Sequence, residues 1–355
     1  MSGSRITFLQ GQADQPQALD RVIAHVRRQF TCSDLDELRR AERPLFTGIG
    51  ASYAALSVPV ALLREHGIVS QRVLADEIED GTAGFEVDAL IGVSQGGKSS
   101  ETIAAFKAVR YVPRVAVLNV TPSPLGDLAE MTVDLGNEPD SYASTIGFTG
   151  TVVALDLIAG AIAGREEADD PWRDIAAWAE AVRRDAAGVI SELAPRGARC
   201  VAADVVASGA SRASAEEGAL LLREVVRMPA TAAVTRNYLH GEMESAGGTA
   251  DTLHVIFGDS REVELARSLS GAGHLTLLVT AQDVGPAENL SVVRLPEAAP
   301  AARVVLETIV MQQLVASLSA ERDIPIESFV FANDDTKEGG VDPADFLISS
   351  PVAAG

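Results

Sequence analysis

The sequence contains few cysteines and few lysines, and each shortage limits the chemistry open to the protein. Its two cysteines, Cys32 and Cys200, are far apart in the sequence, and no Cys-x-x-Cys or Cys/His spacing typical of a metal site is present. We therefore expect reduced thiols, no disulfide-stapled fold and no metal. The three lysines are Lys98, Lys107 and Lys337, so a mechanism that needs a lysine imine has few candidate residues.

Basic residues are outnumbered, and long apolar runs are absent. The chain has 29 Lys and Arg against 50 Asp and Glu, a formal charge of −21, so its average surface repels nucleic-acid backbones and anionic lipids. The longest apolar stretch, 151–164, is interrupted by Asp156, and the N-terminus has no hydrophobic signal segment. We expect a cytoplasmic protein with no nucleic-acid or membrane partner. An anionic substrate would need a focused local site.

The length and composition are those of a globular protein with more than one domain. At about 150 residues per domain, the 355 residues predict two or three domains. A content of 47% hydrophobic and 22% charged residues is typical of an ordered fold. Such a chain can build its core without metals or disulfides, and no cofactor is predicted.

Short apolar runs alternate with stretches of helical periodicity along the chain. This alternation predicts an α/β fold of two tandem doubly wound (αβα) domains, each with a five-stranded parallel sheet covered on both faces. The second half repeats the order of the first, which indicates an internal duplication. The predicted strands are 44–50, 69–75, 88–95, 114–120, 132–136, 199–206, 231–237, 252–259, 274–281 and 290–295. The predicted helices are 14–30, 52–66, 99–110, 145–162, 172–193, 211–228, 261–272 and 301–322.

Changes in composition divide the chain into five segments. A polar, charge-rich stretch at 164–171 ends the first block, and a turn-rich, polar stretch follows Arg322. We expect the C-terminal tail either to cover a site or to be ordered by packing alone. The predicted segments are a helical lead-in (1–39), a first domain (40–165), a linker helix (166–195), a second domain (196–325) and the tail (326–355).

The first candidate site loop is Phe46-Thr-Gly-Ile-Gly50-Ala-Ser52-Tyr53, which joins a predicted strand to a helix. Such a turn lets backbone N–H groups and the Ser52 hydroxyl contact an anion at the helix N-terminus. The dinucleotide-binding pattern is incomplete, because its third glycine is missing. A purely structural tight turn explains the two glycines equally well, so both interpretations stay open.

The second loop follows the third predicted strand and combines hydroxyl, amide, glycine and cationic residues. Its sequence is Ser94-Gln95-Gly-Gly-Lys98-Ser99-Ser100-Glu101-Thr102, which suits a phosphate held by hydroxyl and backbone N–H groups without a metal. The spacing is not that of a Walker A loop. A helix N-cap explains Ser99 or Ser100 but not Gln95 and the glycine pair, so phosphate binding is the favoured interpretation.

A third pattern lies in the second half of the chain. Glu217 and Glu224 are seven residues apart and so share one face of a predicted helix, and His240 follows sixteen residues later. Taken alone, this pattern is weak evidence, because acidic residues on a surface helix are usually solvated and a single histidine is usually incidental.

Together with the segment Tyr142-Ala-Ser144-Thr-Ile-Gly-Phe-Thr149, these patterns resemble the tandem sugar isomerase (SIS) domain family. The resemblance covers about residues 40–330 and is in particular to the isomerase half of glucosamine-6-phosphate synthase and to related sugar-phosphate deglycases and deaminases. It implies a small-molecule phosphosugar as ligand and one site per chain, in the first half. The implied phosphate and sugar ligands are Gly50, Ser52, Ser94, Gln95, Lys98, Ser99, Thr102 and Ser144.

The resemblance also implies catalytic roles and an assembly. Glu224 matches the residue that moves protons at C1 and C2 of the open-chain sugar, and His240 matches the one that assists ring opening, often from the neighbouring subunit. A carboxylate in a closing pocket and a histidine both suit proton transfer near neutral pH. We therefore expect a homodimer with sites shared across the interface. Lys337 is only a loose match for the tail lysine of the synthase, and the glutaminase domain is not expected, so chemistry without a lysine imine is favoured.

Three functions remain open from the sequence. The first is a metal-independent enzyme that acts on a keto- or amino-sugar phosphate, either by C–N cleavage, as a deglycase or deaminase does, or by aldose–ketose isomerisation. The second is a non-catalytic sugar-phosphate sensor, because one fold can serve both functions. A nucleotide-binding enzyme is the third, and the incomplete glycine pattern disfavours it.

Overall fold

The structure of the protein is a computed structural model. It describes residues 5–32, 36–79, 86–166, 170–247, 251–331 and 333–340. These residues form two compact units. Unit 1 comprises the described residues within Met1–Leu56, Leu63–Arg165 and Phe329–Gly355, and unit 2 those within Ser57–Leu62 and Glu166–Ser328. The described residues of the tail from Phe329 onward thus belong to unit 1.

Unit 1 contains a five-stranded parallel sheet with helices around it. Its strands are β1 (Pro44–Gly48), β2 (Gln71–Leu74), β3 (Ala89–Val93), β4 (Arg114–Leu118) and β5 (Met131–Asp134). Its helices are α1 (Phe8–Cys32), α2 (Asp36–Arg39), α3 (Ala51–Ala55), α4 (Ser57–Glu65), α5 (Ala75–Glu79), α6 (Ser100–Ala108) and α7 (Ile146–Ala163), the first residues of α4 being counted with unit 2. All four pairings are parallel, and the strand order is β2-β1-β3-β4-β5.

The burial pattern explains why these segments form a covered parallel sheet. Strands β1 and β3 are buried along their whole length, as strands with helices on both faces are. Helix α6 packs close to β3, because a Cβ at Gly92 would lie 2.2 Å from the ring of Phe106. The one charge in the apolar helix α7, Asp156, is buried and pairs with Arg165 at 2.7 Å, which compensates its loss of solvation.

Unit 2 repeats the arrangement of unit 1. Its strands are β6 (Ala202–Ala207), β7 (Ala230–Val234), β8 (Thr252–Phe257), β9 (Thr276–Thr280) and β10 (Leu290–Arg294). Its further helices are α8 (Ile175–Gly197), α9 (Arg212–Glu224), α10 (Thr235–Tyr238), α11 (Arg261–Gly271) and α12 (Pro300–Glu321). The strand order is β10-β9-β8-β6-β7. Read from β7 to β10, it places the second, first, third, fourth and fifth strands of the unit side by side, as in unit 1. The predicted α/β fold with two five-stranded parallel sheets is confirmed.

Helix α1 begins earlier than the sequence pattern predicts. The predicted start at Asp14 is wrong, because Thr7 and Gln10 form a capping box that starts the helix at Phe8, six residues earlier. The Gln10 N–H donates to Thr7 Oγ1 at 3.1 Å, and the Thr7 N–H donates to Gln10 Oε1 at 2.8 Å. Pro16 therefore lies inside the helix and does not start it.

Two further predicted boundaries differ in the structure. The strand predicted at 231–237 ends at Val234, because the chain turns into α10 and buries Tyr238, whose hydroxyl donates to Asp204 at 2.8 Å. The helix predicted to end before Pro195 continues to Gly197. Proline in this last turn removes only one backbone N–H.

The hydrophobic periodicity of the sequence does not predict two further features of the helices. The helix predicted at 52–66 is two helices, α3 and α4, separated at Leu56. Helix α5 follows directly after β2, where the sequence pattern predicts no helix. Short helices of four or five residues carry too few apolar repeats to give a periodic signal.

Helices α7 and α12 are long and apolar enough to cross a membrane by length and composition. In each, 83% of the most apolar window is buried within the described part of the protein. Helices that are apolar all round and buried are typical of the core of a large globular protein.

Candidate active site

A cavity of about 440 Å³ opens in unit 1 at the carboxyl ends of the strands. In the order β2-β1-β3-β4-β5, the chain leaves β1 towards one edge and continues from β3 towards the other, so β1 and β3 flank the topological switch point where open α/β sheets bind ligands. Five of the eight predicted binding residues line the cavity: Ser52, Ser94, Gln95, Lys98 and Ser99.

The loop after β1 brings Ser52 to the cavity. Gly50 has φ of 58° and ψ of −129°, a conformation that strongly favours glycine, and the turn it makes places Ser52 in α3. Gly48 packs tightly, since a Cβ there would lie 3.1 Å from the Ser52 Cβ and 3.3 Å from the Val93 oxygen. Gly50 itself is not among the lining residues, so the structure shows it as a turn residue.

The loop after β3 has a conformation that only glycine fits at one position. Gly97 has φ of 63°, and a Cβ there would lie 2.1 Å from Ser123 Oγ. The Gly97 N–H donates to the Ser94 carbonyl oxygen at 2.9 Å, and this hydrogen bond closes the turn. Gly97 is therefore explained by its backbone conformation and by close packing against Ser123, which also lines the cavity, whereas a Cβ at Gly96 would meet nothing within 4 Å.

Ser99 both caps a helix and lines the cavity. Its Oγ accepts from the Thr102 N–H at 3.4 Å and from the Thr102 hydroxyl at 3.1 Å, and it donates to Glu101 Oε2 at 2.9 Å. The N-cap interpretation of Ser99 is thus correct, and it is compatible with a ligand-binding role. Thr102 is fully buried and is not among the lining residues.

Ser144, the predicted sugar ligand after β5, is bonded to a residue that the sequence analysis missed. Its hydroxyl donates to Asp140 Oδ2 at 2.7 Å, and Ser144 is not among the lining residues. Asp140 does line the cavity, and so do Glu138 and Tyr142 from the same segment. The motif at 142–149 indicated that the segment after the fifth strand belongs to the site, but it does not include Asp140.

Cations and carboxylates line the cavity in equal number among the described residues. The cations are Arg5, Lys98 and Lys337, and the carboxylates are Glu101, Glu138 and Asp140. Glu138 is buried and accepts three hydrogen bonds of 2.7 to 3.1 Å from Arg21, so its charge is already compensated. The cavity therefore does not share the strong negative charge of the whole chain.

The C-terminal tail contributes to the cavity wall. Lys337 lines the cavity, its backbone forms a bridge with Ser99, and the Glu338 N–H donates to the Lys98 oxygen at 2.9 Å. Two cations lie near the Tyr142 ring, the Arg5 guanidinium at 5.5 Å and Lys337 Nζ at 5.8 Å from its centroid, distances at which a cation attracts an aromatic face. Of the two alternatives expected for the tail, covering a site and being ordered by packing alone, these contacts favour the first.

The predicted catalytic residues Glu224 and His240 lie in unit 2, and neither is among the residues that line the cavity. Glu224 is the last residue of α9 and is exposed to solvent. The protein atoms around it nevertheless desolvate the carboxylate and raise the pKa of Glu224 to about 7. A carboxyl group with such a pKa can both accept and donate a proton near neutral pH.

His240 follows α10 and is exposed. Tyr238, two residues before it, is fully buried, and its hydroxyl lies 2.8 Å from Asp204 Oδ2 and 3.2 Å from His254 Nδ1. This buried tyrosine holds one end of the segment that carries His240.

Comparison with known proteins relates this architecture to enzymes of sugar phosphates. No protein family model matches the chain. Over 324 residues it is 27% identical to the glutamine–fructose-6-phosphate aminotransferase (isomerizing) of Pyrobaculum aerophilum, a match that covers 87% of this chain and 54% of that protein. The chain thus spans about half the length of this curated relative.

Two solved structures superpose on nearly the whole chain. The C-terminal domain of glucosamine-fructose-6-phosphate aminotransferase from Francisella tularensis does so with a TM-score of 0.75 at 18% identity, covering 90% of this chain and 97% of that one. The chain has the tandem sugar isomerase fold. The tagatose-6-phosphate ketose/aldose isomerase of Escherichia coli, at a TM-score of 0.72 and 16% identity, covers 98% of this chain and 97% of that one. At these identities the structural similarity shows the fold alone.

The two units of this tandem sugar isomerase fold differ at the ends of their strands. In unit 2, carboxylates follow β8, where unit 1 has Ser94 and Gln95. Asp259 accepts from the Thr280 hydroxyl at 2.7 Å and pairs with Arg303, and Glu262 accepts from the Ser208 hydroxyl at 3.1 Å. The hydroxyl groups of Thr280 and Ser208 are therefore bonded to carboxylates of unit 2 itself and are not available to bind an anionic ligand.

Proposed function

We propose that this chain is a phosphosugar-processing enzyme that moves a proton between C1 and C2 of an open-chain keto- or amino-sugar phosphate. The observation that carries the proposal is the meeting of hydroxyl, amide and lysine side chains from two loops at one cavity of about 440 Å³. This volume lies within the usual range for small-molecule sites, roughly 300–1,000 Å³. The names of the curated relative and of the Escherichia coli isomerase support a hexose phosphate as substrate.

The phosphate is assigned to the N-terminus of α6. Three groups there can bind a dianion: the hydroxyls of Ser94 and Ser99, the first N–H groups of the helix, and the Lys98 ammonium. The Ser99 hydroxyl, which donates to Glu101 in the structure, turns to the phosphate when the ligand binds. Ser52 completes this end of the site from the loop after β1.

Proton transfer is assigned to Glu224 and His240. His240 assists ring opening by proton transfer at the ring oxygen, and the Glu224 carboxylate then removes a proton from C1 or C2 of the open-chain sugar. The resulting enediol or enolamine takes the proton back from Glu224 at the neighbouring carbon. The pKa of about 7 supports this role, because both protonation states of Glu224 are then populated at neutral pH.

The proposal covers two outcomes of the same intermediate. Return of the proton to the neighbouring carbon of an enediol gives aldose–ketose isomerisation. Its return to an enolamine gives an imine, and addition of water to the imine carbon followed by departure of the amine gives C–N cleavage and a carbonyl group. The curated relative is an isomerizing aminotransferase and the Escherichia coli protein is a ketose/aldose isomerase, so their names support the isomerisation. C–N cleavage is the second outcome, which detection of a released amine distinguishes. The proposal needs no metal, no organic cofactor and no lysine imine.

We further propose that the enzyme works in the cytoplasm as a homodimer in which His240 serves the site of the neighbouring subunit. Sedimentation of the active protein tests this assembly. An active monomer would contradict the shared site but would leave the proposed chemistry intact.

The test of the proposed function is a thermal-shift screen of sugar 6-phosphates, aminosugar phosphates and phosphorylated Amadori compounds, followed by NMR in deuterated water. We expect stabilisation by at least one ligand and deuterium incorporation at C1 or C2. Release of an amine would select C–N cleavage over isomerisation.

Two variants identify the proton-transfer group. Glu224→Gln should abolish deuterium exchange while preserving ligand binding, and Glu264→Gln, on the exposed surface of α11, should exchange like the wild type. Ligand stabilisation without exchange or product in the wild type would contradict the enzyme and favour a sugar-phosphate sensor.

A further inference from the structure

Asp140 is the most highly hydrogen-bonded carboxylate at the cavity among the described residues. It lies between β5 and α7, is buried, and belongs to the cavity wall. Its Oδ1 accepts from the Thr145 N–H at 2.9 Å, the Thr145 hydroxyl at 2.8 Å and the Ile146 N–H at 3.0 Å. Its Oδ2 accepts from Gln95 Nε2 at 2.5 Å, the Ser144 hydroxyl at 2.7 Å and the Gly147 N–H at 3.1 Å.

These bonds mean that the N-terminus of α7 already holds an anion. The first N–H groups of a helix have no partner within the helix and attract negative charge. In α7 the N–H groups of Ile146 and Gly147 are bonded to Asp140. A substrate phosphate therefore has no free place at α7, which agrees with its assignment to α6.

The bond from Gln95 to Asp140 also fixes the orientation of the Gln95 amide. A carboxylate only accepts hydrogen bonds, so the NH₂ group of Gln95 must face Asp140. The opposite orientation would place Oε1 against two acceptor oxygens. Gln95, which lines the cavity, is left with Oε1 and its second N–H for a ligand.

We propose that Asp140 is a positioning residue that holds the Gln95 amide with its Oε1 available to a donor group of the sugar. Gln95 Oε1 then accepts a hydrogen bond from a donor group of the substrate, a hydroxyl or an ammonium group. The dianion of a phosphate monoester, such as the phosphate group of a sugar phosphate, offers acceptors only and cannot make this bond. The inference rests on the proposed function, since it names which part of the phosphosugar each side of the cavity contacts.

Gly147 provides an independent way to disturb this arrangement. A Cβ at Gly147 would lie 1.7 Å from Gln95 Nε2 and 2.5 Å from Asp140 Oδ2. Gly147→Ala must therefore displace Gln95 from Asp140, while the bonds of Asp140 Oδ1 to Thr145 and Ile146 remain available to start the helix. Gly188 in α8 is a matched control, because nothing lies within 4 Å of a Cβ built there.

The experiment compares two ligands by calorimetric titration at pH 8: methyl phosphate, whose dianion has no hydrogen-bond donor, and fructose 6-phosphate. The variants are Asp140→Asn, Gly147→Ala and Gly188→Ala. In the first two, affinity for fructose 6-phosphate should fall by about 10- to 100-fold, as expected when a hydrogen bond that depends on a charged partner is lost. Affinity for methyl phosphate should change less than about threefold, and Gly188→Ala should bind both ligands like the wild type.

The outcomes separate this inference from the proposed function. If both ligands weaken by the same factor in Asp140→Asn and Gly147→Ala, or if neither weakens, Asp140 only starts the helix and the inference is wrong, while the proposed function stands. If the wild type binds neither ligand, both are wrong. Should Asp140→Asn fail to fold, the selective loss must appear in Gly147→Ala, whose Asp140 is intact.

Discussion

The hydroxyl of Tyr238 donates a hydrogen bond of 2.8 Å to Asp204 Oδ2 in the interior of unit 2. The bond joins α10 to strand β6, and Tyr238 lies two residues before His240. Burial raises the pKa of Asp204, and the bond from Tyr238 opposes that effect. The tyrosine thus both anchors this segment and stabilises a partly buried charge.

Tyr238→Phe should destabilise the protein by about 1–3 kcal/mol, because it leaves the Asp204 carboxylate without its hydroxyl donor in a poorly solvated position. Chemical denaturation gives the free energy of unfolding. Tyr111→Phe is the control, since Tyr111 is exposed, and it should change that free energy by less than about 0.5 kcal/mol. Equal effects of the two substitutions would show that the Tyr238 bond contributes nothing.

Gly97→Ala should disrupt the loop after β3. The substitution forces a side chain onto φ of 63° and places its Cβ 2.1 Å from Ser123 Oγ, and the backbone strain alone costs about 1–2 kcal/mol. We expect a lower melting temperature and at least tenfold weaker phosphate binding, as the loop carries Ser94, Lys98 and Ser99. Gly188→Ala should keep both properties. Normal phosphate binding by Gly97→Ala would remove this loop from the site.

Lys98→Gln should weaken the binding of inorganic phosphate by about fivefold, or roughly 1 kcal/mol, the value expected for a charge pair in contact with solvent. The control is Lys107→Gln, because Lys107 lies on α6, pairs with Glu338 at 3.7 Å and does not line the cavity. Titrations at two salt concentrations should show that only the Lys98 variant loses salt dependence. An equal loss in both variants would indicate a general effect of net charge.

The catalytic rate should depend on pH through Glu224. Desolvation by the surrounding protein atoms raises its pKa to about 7, so the carboxylate form required to remove a proton from carbon becomes populated as the pH rises through 7. We expect kcat/KM for the exchange reaction to rise with pH with a midpoint near 7. A midpoint near 4.5, the usual value for glutamic acid, would show that Glu224 is not the group that titrates in catalysis.

The same raised pKa predicts how Glu224 affects stability. Between about pH 4.5 and pH 7 the folded protein holds a proton on Glu224 that the unfolded chain has released. The contribution of Glu224 to the free energy of unfolding must therefore fall as the pH rises through this interval. Denaturation of the wild type and Glu224→Gln at pH 5 and pH 7.5 should show that the difference between them changes in this direction, and a constant difference would contradict the raised pKa.

Much of the fold is encoded locally, and the sequence alone predicts it. The buried runs of β1 and β3 and the glycine-containing turns after them are short-range patterns, because a strand buried on both faces must be apolar throughout. The helix start at Thr7 was missed although Thr7 and Gln10 are a capping pair, because the apolar repeat that follows becomes regular only near Asp14.

Much of the cavity wall could not be predicted in this way. Asp140 accepts from the first N–H groups of α7, yet it lies five residues before Thr145, the N-cap, whereas the usual capping patterns place the acceptor at the N-cap itself. Glu138 is compensated by Arg21, which is 117 residues away in sequence. Neither contact corresponds to a regular spacing of residues, so neither can be recognised in the sequence.

The sequence by itself determined two repeated α/β units and the loops whose hydroxyl, amide and lysine groups suit a phosphate, because helices, strands and turns follow from the order of neighbouring residues. Only the tertiary structure decided that Arg5 and Lys337, from the two ends of the described chain, line the same cavity. It also decided that Gln95 is bonded to Asp140. Such contacts depend on how strands are ordered and where the chain returns, and those arrangements arise from packing the whole core.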